Sequence, residues 1–427
     1  TRCSRDWSSD VCSSDLVLLT YAAGRRLFGR AAGMVAAVVL GSSLLYFALS
    51  QVLLLDMAVA VLISATLFCF ILALEEPAGP RRRQLFYGLY VAAALATLTK
   101  GLIGFLLPGA VMFLWLLAFN QWYRLRPLYL PSGLLIFLAV AAPWHLLAAQ
   151  RNPGWASFYF VHEHWERFTT TQHGRHQPWW FFGPILLLGL FPWTGFLWSA
   201  LRDLPRPRWR LDAAAARPWF LVVWAAFIFL FFSKSQSKLI PYILPVLPAL
   251  ALLIGEWFSR HLEVSEDPRL RPGLWAFAGL CGLLGLALPA AVLVPRILND
   301  PAQAAALRPH GIVMGLILIT GGLGVAWVMR RRRLGAAFGA MAMVVAAFLF
   351  VLSLAGGKIQ RAGTRGLAGV VRAEAKADDR VYHFRGFFHD FVFYTERFVG
   401  LIDYIDELEV DRKSTRLNSS HGYISYA

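Results

Sequence analysis

Eleven apolar runs separated by short polar connections constrain the fold of this chain more than any other feature. They fall at roughly residues 31–50, 57–74, 84–99, 101–119, 128–149, 179–200, 218–233, 239–258, 273–294, 310–329 and 334–354. Most approach the roughly 20 residues that an α-helix needs to cross a bilayer. Only 15% of the residues are charged, whereas ordinary soluble domains carry about 25%. The sequence therefore predicts an all-α polytopic membrane protein.

The connections between these runs alternate in their content of basic residues. One alternate set holds about twenty Lys and Arg residues and the other about eight. Because cytoplasmic connections are enriched in Lys and Arg, we expect the richer set to face the cytoplasm. The net charge of +16 then follows from topology and requires no nucleic-acid partner. The poorer set, which includes the long polar loop 151–178, is expected to face the periplasm or exterior.

The two ends of the chain differ from the part between them. Residues 1–15 and 413–427 are polar and aperiodic, and they resemble translated sequencing-adapter sequence. We expect a membrane domain over 16–355 and a small domain over 356–412 that is cut short and lies on the periplasmic side. The second domain is predicted to contain a helix, two short strands at VYHF and GLID, and a helix between them, which is typical of the start of an α/β domain.

The polar segment 151–180 concentrates histidine, glutamate and arginine between aromatic residues, with HEHWERF at its centre. His162 and Glu163 are candidate ligands for a divalent metal such as zinc, although a solvated surface pair has the same spacing. Arg167 suits a bidentate grip on a phosphate group.

Two isolated charges lie at ends of apolar runs on the predicted outer side. Asp56 is either a helix N-cap or a carboxylate that acts on the substrate as a base. Lys100 either extends to the lipid headgroups or binds a phosphate below the outer surface. Gly101 permits a tight turn directly after it.

A third site is predicted at residues 233–248, SKSQSKLIPYILPVLP, where three prolines interrupt an apolar run. Broken helices at membrane depth are tolerated chiefly where they line a cavity. Lys238 and the hydroxyl of Tyr242 are candidate substrate contacts, the alternative for Tyr242 being a place in the interfacial aromatic belt. Together with Asp56, Lys100 and Arg167, they predict a pocket for an anionic lipid head at the outer leaflet.

Four blocks in this order resemble the lipid-carrier-dependent glycosyltransferases of the GT-C type, and most nearly the bacterial aminoarabinose transferases that modify lipid A. Protein O-mannosyltransferases are more distantly similar. The blocks are LLLDMAVAVLISATLFCFILALEE, LATLTKGLIGFLLPG, NPGWASFYFVHEHWERFTT with HGRHQPWWFFGPILLLGLFPWTG, and SKSQSKLIPYILPVLPALALL. The resemblance implies a GT-C helical bundle in the bacterial inner membrane. It also implies inverting transfer of a sugar from a polyprenyl phosphate to lipid A or another envelope acceptor on the periplasmic face.

By this resemblance, Arg167 contacts the donor phosphate with Tyr242 nearby, and Lys100 lines the donor cavity. His162 is a possible zinc ligand, and Asp56 is an acidic residue near the acceptor. The family's first span and first outer loop, which carry another acidic residue and a Glu-Lys pair, have no counterpart here, so we expect the chain as it stands to be inactive.

Two rival functions remain open on the sequence alone. The first is a polytopic transporter or flippase of lipids or sugars, in which ionisable residues tend to lie near the membrane midplane within repeated halves. The second is a lipid-linked polymerase or ligase that shares the donor. The predicted clustering of charges at outer helix ends favours the sugar transferase.

Overall fold

A computed structural model describes residues 7–52, 54–157, 159, 177–261, 267–294, 301–359, 364–376, 378–384 and 387–402. Within the chain, two compact units are separated between Ser353 and Leu354. The first unit is almost entirely helical, and the short strands lie in the second.

The helices follow the apolar runs. In chain order they are α1 (Trp7–Phe28), α2 (Arg30–Ser42), α3 (Leu44–Ser50), α4 (Leu55–Glu75), α5 (Pro80–Lys100), α6 (Ile103–Phe119), α7 (Leu130–Arg151), α8 (Trp155–Ser157), α9 (Phe182–Gly189), α10 (Thr194–Arg202), α11 (Ala213–Lys234), α12 (Leu247–His261), α13 (Arg271–Leu293), α14 (Pro301–Arg330) and α15 (Leu334–Ile359). Three short 3₁₀ helices, Trp122–Leu125, Ile240–Val246 and Pro268–Leu270, lie between them. The prediction of an all-α membrane fold is confirmed.

Fewer helices could cross a membrane unbroken than the eleven apolar runs suggested. Among the described residues, seven helices are long and apolar enough, and the number reaches nine if each of two bent pairs is one span. The bends are 64° between α2 and α3 and 100° between α9 and α10. Of the remaining runs, α5 carries three arginines in its first turn and α6 has only 17 residues.

The two bends are stabilised by contacts with each other. At the first bend, Leu44 N donates to the Phe191 carbonyl oxygen of the second bend over 3.0 Å. The indole of Trp193 donates to Ser42 Oγ over 2.9 Å. Backbone groups that a break frees from helical bonding must find partners when water is excluded. Each bend therefore supplies a hydrogen-bonding partner for the other.

Buried tryptophans in the first unit combine large apolar contacts with a satisfied indole N–H. Trp115 donates to the Ala216 carbonyl over 3.2 Å, and Trp224 donates to the Pro245 carbonyl over 2.8 Å. The Trp224 contact fixes α11 against the proline-interrupted segment Ile240–Val246. A buried indole without an acceptor would leave an unpaired donor in a medium that cannot hydrate it.

The end of α4 opposite Asp56 is held by a charge cluster. Glu75 accepts from Arg124 over 2.6 Å and also from Arg217. Arg217 in turn donates to the Leu27 carbonyl over 2.7 Å. This one carboxylate therefore joins α4 to α11, to the segment after α6, and through Arg217 to α1.

The second unit is a small α/β arrangement. It contains α16 (Arg365–Glu374), β1 (Val381–Phe384), α17 (His389–Thr395) and β2 (Val399–Ile402). The strands pair in parallel with Val381 opposite Val399. Parallel neighbours require a crossover, which α17 supplies. The predicted order of helix, strand, helix and strand is confirmed, and β2 begins at Val399, one residue before GLID.

The turn between α5 and α6 depends on two glycines. Gly101 ends α5 with φ 85° and ψ −159°, a conformation that is essentially restricted to glycine. At Gly104, a Cβ atom would lie 2.3 Å from the backbone carbon of Ala96. The first glycine allows the chain to reverse, and the second allows α6 to approach α5 closely.

We expect Gly101→Ala to lower the free energy of unfolding by about 1–3 kcal/mol, because alanine is strained at this backbone conformation. The measurement is unfolding in detergent micelles, followed by tryptophan fluorescence. Gly109→Ala is the matched control, because a Cβ at this helical position of α6 meets no atom within 4 Å. Equal stability of the two variants would contradict the assigned turn geometry.

We expect Glu75→Gln to destabilise the first unit by about 1–3 kcal/mol, because two guanidinium groups lose their counter-charge. Glu76→Gln removes the same charge one residue later, from a side chain that makes no ion pair among the described contacts. Unfolding of both variants in the same detergent checks the difference. A Glu76 variant as unstable as the Glu75 variant would rule out this role for the cluster.

Candidate functional site

A cavity of about 660 Å³ lies where the start of α4, the end of α5 and the proline-interrupted segment meet. Its wall is mostly apolar, with a few polar groups among the lining residues. The lining residues are Asp56, Val59, Ile63, Leu98, Thr99, Lys100, Gly101, Leu102, Ile103, Leu106, Leu107, Trp144, Tyr159, Phe231, Phe232, Ser235, Ser237, Pro241, Tyr242 and Pro245. An apolar cavity with a few converging polar groups is the usual form of a small-ligand site.

Three of the residues predicted from the sequence meet in this cavity. The Lys100 ammonium forms an ion pair with the Asp56 carboxylate. The same ammonium lies over the ring of Tyr242, with Nζ 4.4 Å from the ring centroid, which is a cation–π contact. The side chains of Lys100 and Asp56 are 24% and 18% exposed, so they are partly desolvated but still accessible from the cavity.

Helix ends explain why these two charges are stable at this position. Asp56 lies in the first turn of α4, and Lys100 is the last residue of α5. A carboxylate is favoured near a helix N-terminus and an ammonium near a C-terminus. The N-cap position of α4 is occupied by Leu54 and not by Asp56, and the described side-chain partner of Asp56 is Lys100.

Lys238 is buried, and it does not belong to the residues that line the cavity. Its ammonium donates to the carbonyl oxygens of Gln177, over 2.8 Å, and Ser235, over 2.5 Å. Burial lowers the pKa of this ammonium from its ordinary value. Ser235 and Ser237, on either side of this contact, do line the cavity. Lys238 thus links Gln177, near the end of the long polar loop, to Ser235 in the cavity wall.

An aromatic group beside the cavity escaped the sequence analysis. Tyr159 lines the cavity and stacks on Trp155, with ring centroids 4.7 Å apart. Its hydroxyl lies 3.2 Å from His145 Nε2, and His145 Nδ1 lies 2.8 Å from the Ala141 carbonyl oxygen. Since only a protonated Nδ1 can donate to that carbonyl, Nε2 of a neutral His145 ring accepts a hydrogen bond from the Tyr159 hydroxyl. His145 is surrounded by apolar residues in the sequence, which is why pattern alone did not single it out.

The remaining predicted residues, Arg167, His162 and Glu163, lie outside the described residues. Within the part of the chain that the structure describes, no group of three or more His, Cys, Asp or Glu side chains is placed to hold a metal ion.

Known proteins with similar sequences point to one family. Residues 7–146 match the family described as dolichyl-phosphate-mannose-protein mannosyltransferase. The chain is 30% identical over 332 residues to the undecaprenyl phosphate-alpha-4-amino-4-deoxy-L-arabinose arabinosyl transferase of Pectobacterium atrosepticum, covering 76% of this chain and 56% of that protein. It is 34% identical over 316 residues to the protein of the same name from Pseudomonas paraeruginosa, covering 73% and 55%. The chain therefore spans little more than half the length of these relatives.

Solved structures agree with the sequence relatives. The crystal structure of ArnT from Cupriavidus metallidurans bound to undecaprenyl phosphate matches with a TM-score of 0.80 and 27% identity, over 96% of this chain and 74% of that chain. Its apo form matches with a TM-score of 0.79 and 26% identity. The chain therefore has the fold of the lipid-carrier-dependent GT-C glycosyltransferases and resembles the aminoarabinose transferases among them, which confirms the resemblance predicted from its four sequence blocks.

Proposed function

We propose that this protein transfers a sugar from a polyprenyl-phosphate carrier to lipid A or another periplasmic acceptor. The observation that carries the proposal is the convergence of Lys100, Asp56 and Tyr242 on one largely apolar cavity. The names of the relatives make aminoarabinose carried on undecaprenyl phosphate the first donor to test.

The cavity has parts suited to both ends of such a donor. Lys100 supplies the cationic donor that a phosphodiester needs, and Arg167, predicted in the polar loop, would add a second. Leu102, Ile103 and Leu106 form an apolar stretch of the wall that suits the hydrocarbon chain. Lys238 remains a prediction as a substrate contact, since its described bonds go to backbone carbonyls.

The proposed reaction is a single displacement that inverts the anomeric carbon. A nucleophilic oxygen of the acceptor attacks that carbon while its bond to the phosphate oxygen breaks, and the polyprenyl phosphate leaves with the electron pair. The acceptor's proton passes to the Asp56 carboxylate. Lys100 stabilises the charge that grows on the departing phosphate. General-base help of this kind contributes about 10²–10⁴-fold.

Charge placement supports an active site on the periplasmic side of the inner membrane. Asp56 and Glu75 lie at opposite ends of the 21-residue helix α4, which a rise of 1.5 Å per residue makes about 30 Å long. The Glu75 end is surrounded by arginines such as Arg124 and Arg217, as expected of a cytoplasmic face. The cavity then opens at the other face.

A divalent metal at His162 and Glu163 stays a prediction. A cation bound there would help to offset the charge of the donor phosphate.

We expect Lys100→Ala to weaken binding of undecaprenyl phosphate at least about tenfold, because a charge-assisted hydrogen bond contributes roughly 1.5–3 kcal/mol. Binding is measured by native mass spectrometry of the chain in lipid nanodiscs, with undecaprenol as the ligand that lacks the phosphate. Lys234→Ala is the matched control, since Lys234 is an exposed lysine at the end of α11 that does not line the cavity. An equal loss of affinity in both variants would contradict the assignment of Lys100 as the phosphate contact.

Sugar transfer separates this proposal from a lipid transporter. Because the chain covers 56% of the Pectobacterium atrosepticum relative, it replaces the matching region of that relative in a fusion protein. Mass spectrometry should detect lipid A that has gained aminoarabinose, and Asp56→Asn in the same fusion should lower the rate by about 10²-fold or more. Movement of labelled undecaprenyl phosphate between leaflets, without any sugar transfer, would instead support transport.

A further inference from the structure

Lys100 and Asp56 cancel each other's charge in the cavity. Among the described residues of the lining, these two are the only ones with a formal charge, and they are in direct contact. An ion pair presents a dipole to an arriving anion, with no net positive charge. A phosphodiester that approached Lys100 while Asp56 kept its position would meet a carboxylate of the same sign at close range, and like charges at close range repel strongly in a partly desolvated site.

Tyr242 offers Lys100 a partner that does not compete with an anion. The ring face attracts the ammonium through its quadrupole and uses none of the three N–H donors as a hydrogen bond. The ammonium can therefore stay over the ring while its N–H groups change acceptors. Because Tyr242 belongs to the proline-interrupted segment, which Trp224 fixes at the Pro245 carbonyl, this platform is anchored independently of Asp56.

We propose that the donor phosphate displaces Asp56 from Lys100 while the Tyr242 ring holds the ammonium in place, so that donor binding itself releases the carboxylate to serve the acceptor. The inference rests on the proposed function and adds that the donor must bind before Asp56 can act on the acceptor. Before the donor arrives, the Asp56 carboxylate is occupied by Lys100 and is not available as a base. After the exchange, one phosphate oxygen accepts from Lys100, and the carboxylate faces the cavity. Tyr242 is then a positioning residue that acts through its ring.

The exchange is tested by the direction in which one substitution changes the affinity for undecaprenyl phosphate. Asp56→Asn should raise the affinity for undecaprenyl phosphate about tenfold, because the competing anion is gone and Lys100 becomes a net positive charge. The double variant Asp56→Asn, Lys100→Ala should lose that gain. An unchanged affinity of Asp56→Asn would overturn the exchange, and a weakened affinity would mean in addition that the carboxylate helps Lys100 to bind the phosphate.

The ring of Tyr242 is tested by a pair of variants. Tyr242→Phe keeps the ring and should bind undecaprenyl phosphate at least about threefold more tightly than Tyr242→Leu, which loses it. Equal affinities of the two variants would assign the effect of Tyr242 to its hydroxyl and would remove the ring from the proposal.

Crosslinking of the unsubstituted chain gives a second measurement that does not depend on how variants fold. A water-soluble carbodiimide converts a contacting ammonium and carboxylate into an amide, which peptide mass spectrometry detects between Lys100 and Asp56. Saturating undecaprenyl phosphate should suppress this crosslink by about fivefold or more, and undecaprenol should not. A crosslink that persists with the lipid bound would overturn the exchange. Failure of the chain to bind undecaprenyl phosphate better than undecaprenol would instead reject the proposed function, so the two failures are distinguishable.

Discussion

The ion pair between Lys100 and Asp56 is the interaction on which the cavity depends. It joins the last residue of α5 to the first turn of α4, so that each charge lies at the helix end whose dipole favours it. An unpaired charge within an apolar bundle is expensive. Gly101 and Gly104 let α6 turn back tightly beside the pair. Helix ends, rather than helix faces, therefore supply the polar chemistry of this fold.

The two ends of α4 show how similar groups come to have different uses. Glu75 is held by two guanidinium groups that also donate to neighbouring backbone carbonyls, so its described contacts are structural. Asp56 has one ammonium partner and faces a cavity. A carboxylate with one exchangeable partner beside an open volume can take part in chemistry, whereas one held from two sides cannot do so without loss of packing.

Much of this architecture can be predicted from the sequence, because apolar runs long enough to cross a membrane can form few kinds of structure. The helices, the α/β character of the second unit, and Asp56, Lys100 and Tyr242 as polar exceptions all follow from local pattern. The bends do not, because the Leu44 amide and the Phe191 carbonyl are far apart in sequence and meet only in the folded chain. The same holds for Lys238, whose bonds to Gln177 and Ser235 depend on where a loop returns.

For the site as well, the sequence indicates candidate residues but not the contacts between them. Isolated charges in the sequence made Asp56 and Lys100 candidate site residues, but the sequence does not show that they pair. The pairing matters because a paired lysine attracts anions less strongly than a free one. Anionic lipid headgroups are general competitors for a cationic group near a membrane surface. A resting cavity whose described charges sum to zero gives such headgroups no electrostatic advantage, so selection falls to ligands that also fill the apolar wall. A phosphate carried on a long hydrocarbon chain can contact both Lys100 and the apolar wall, whereas a free phosphate can contact only Lys100.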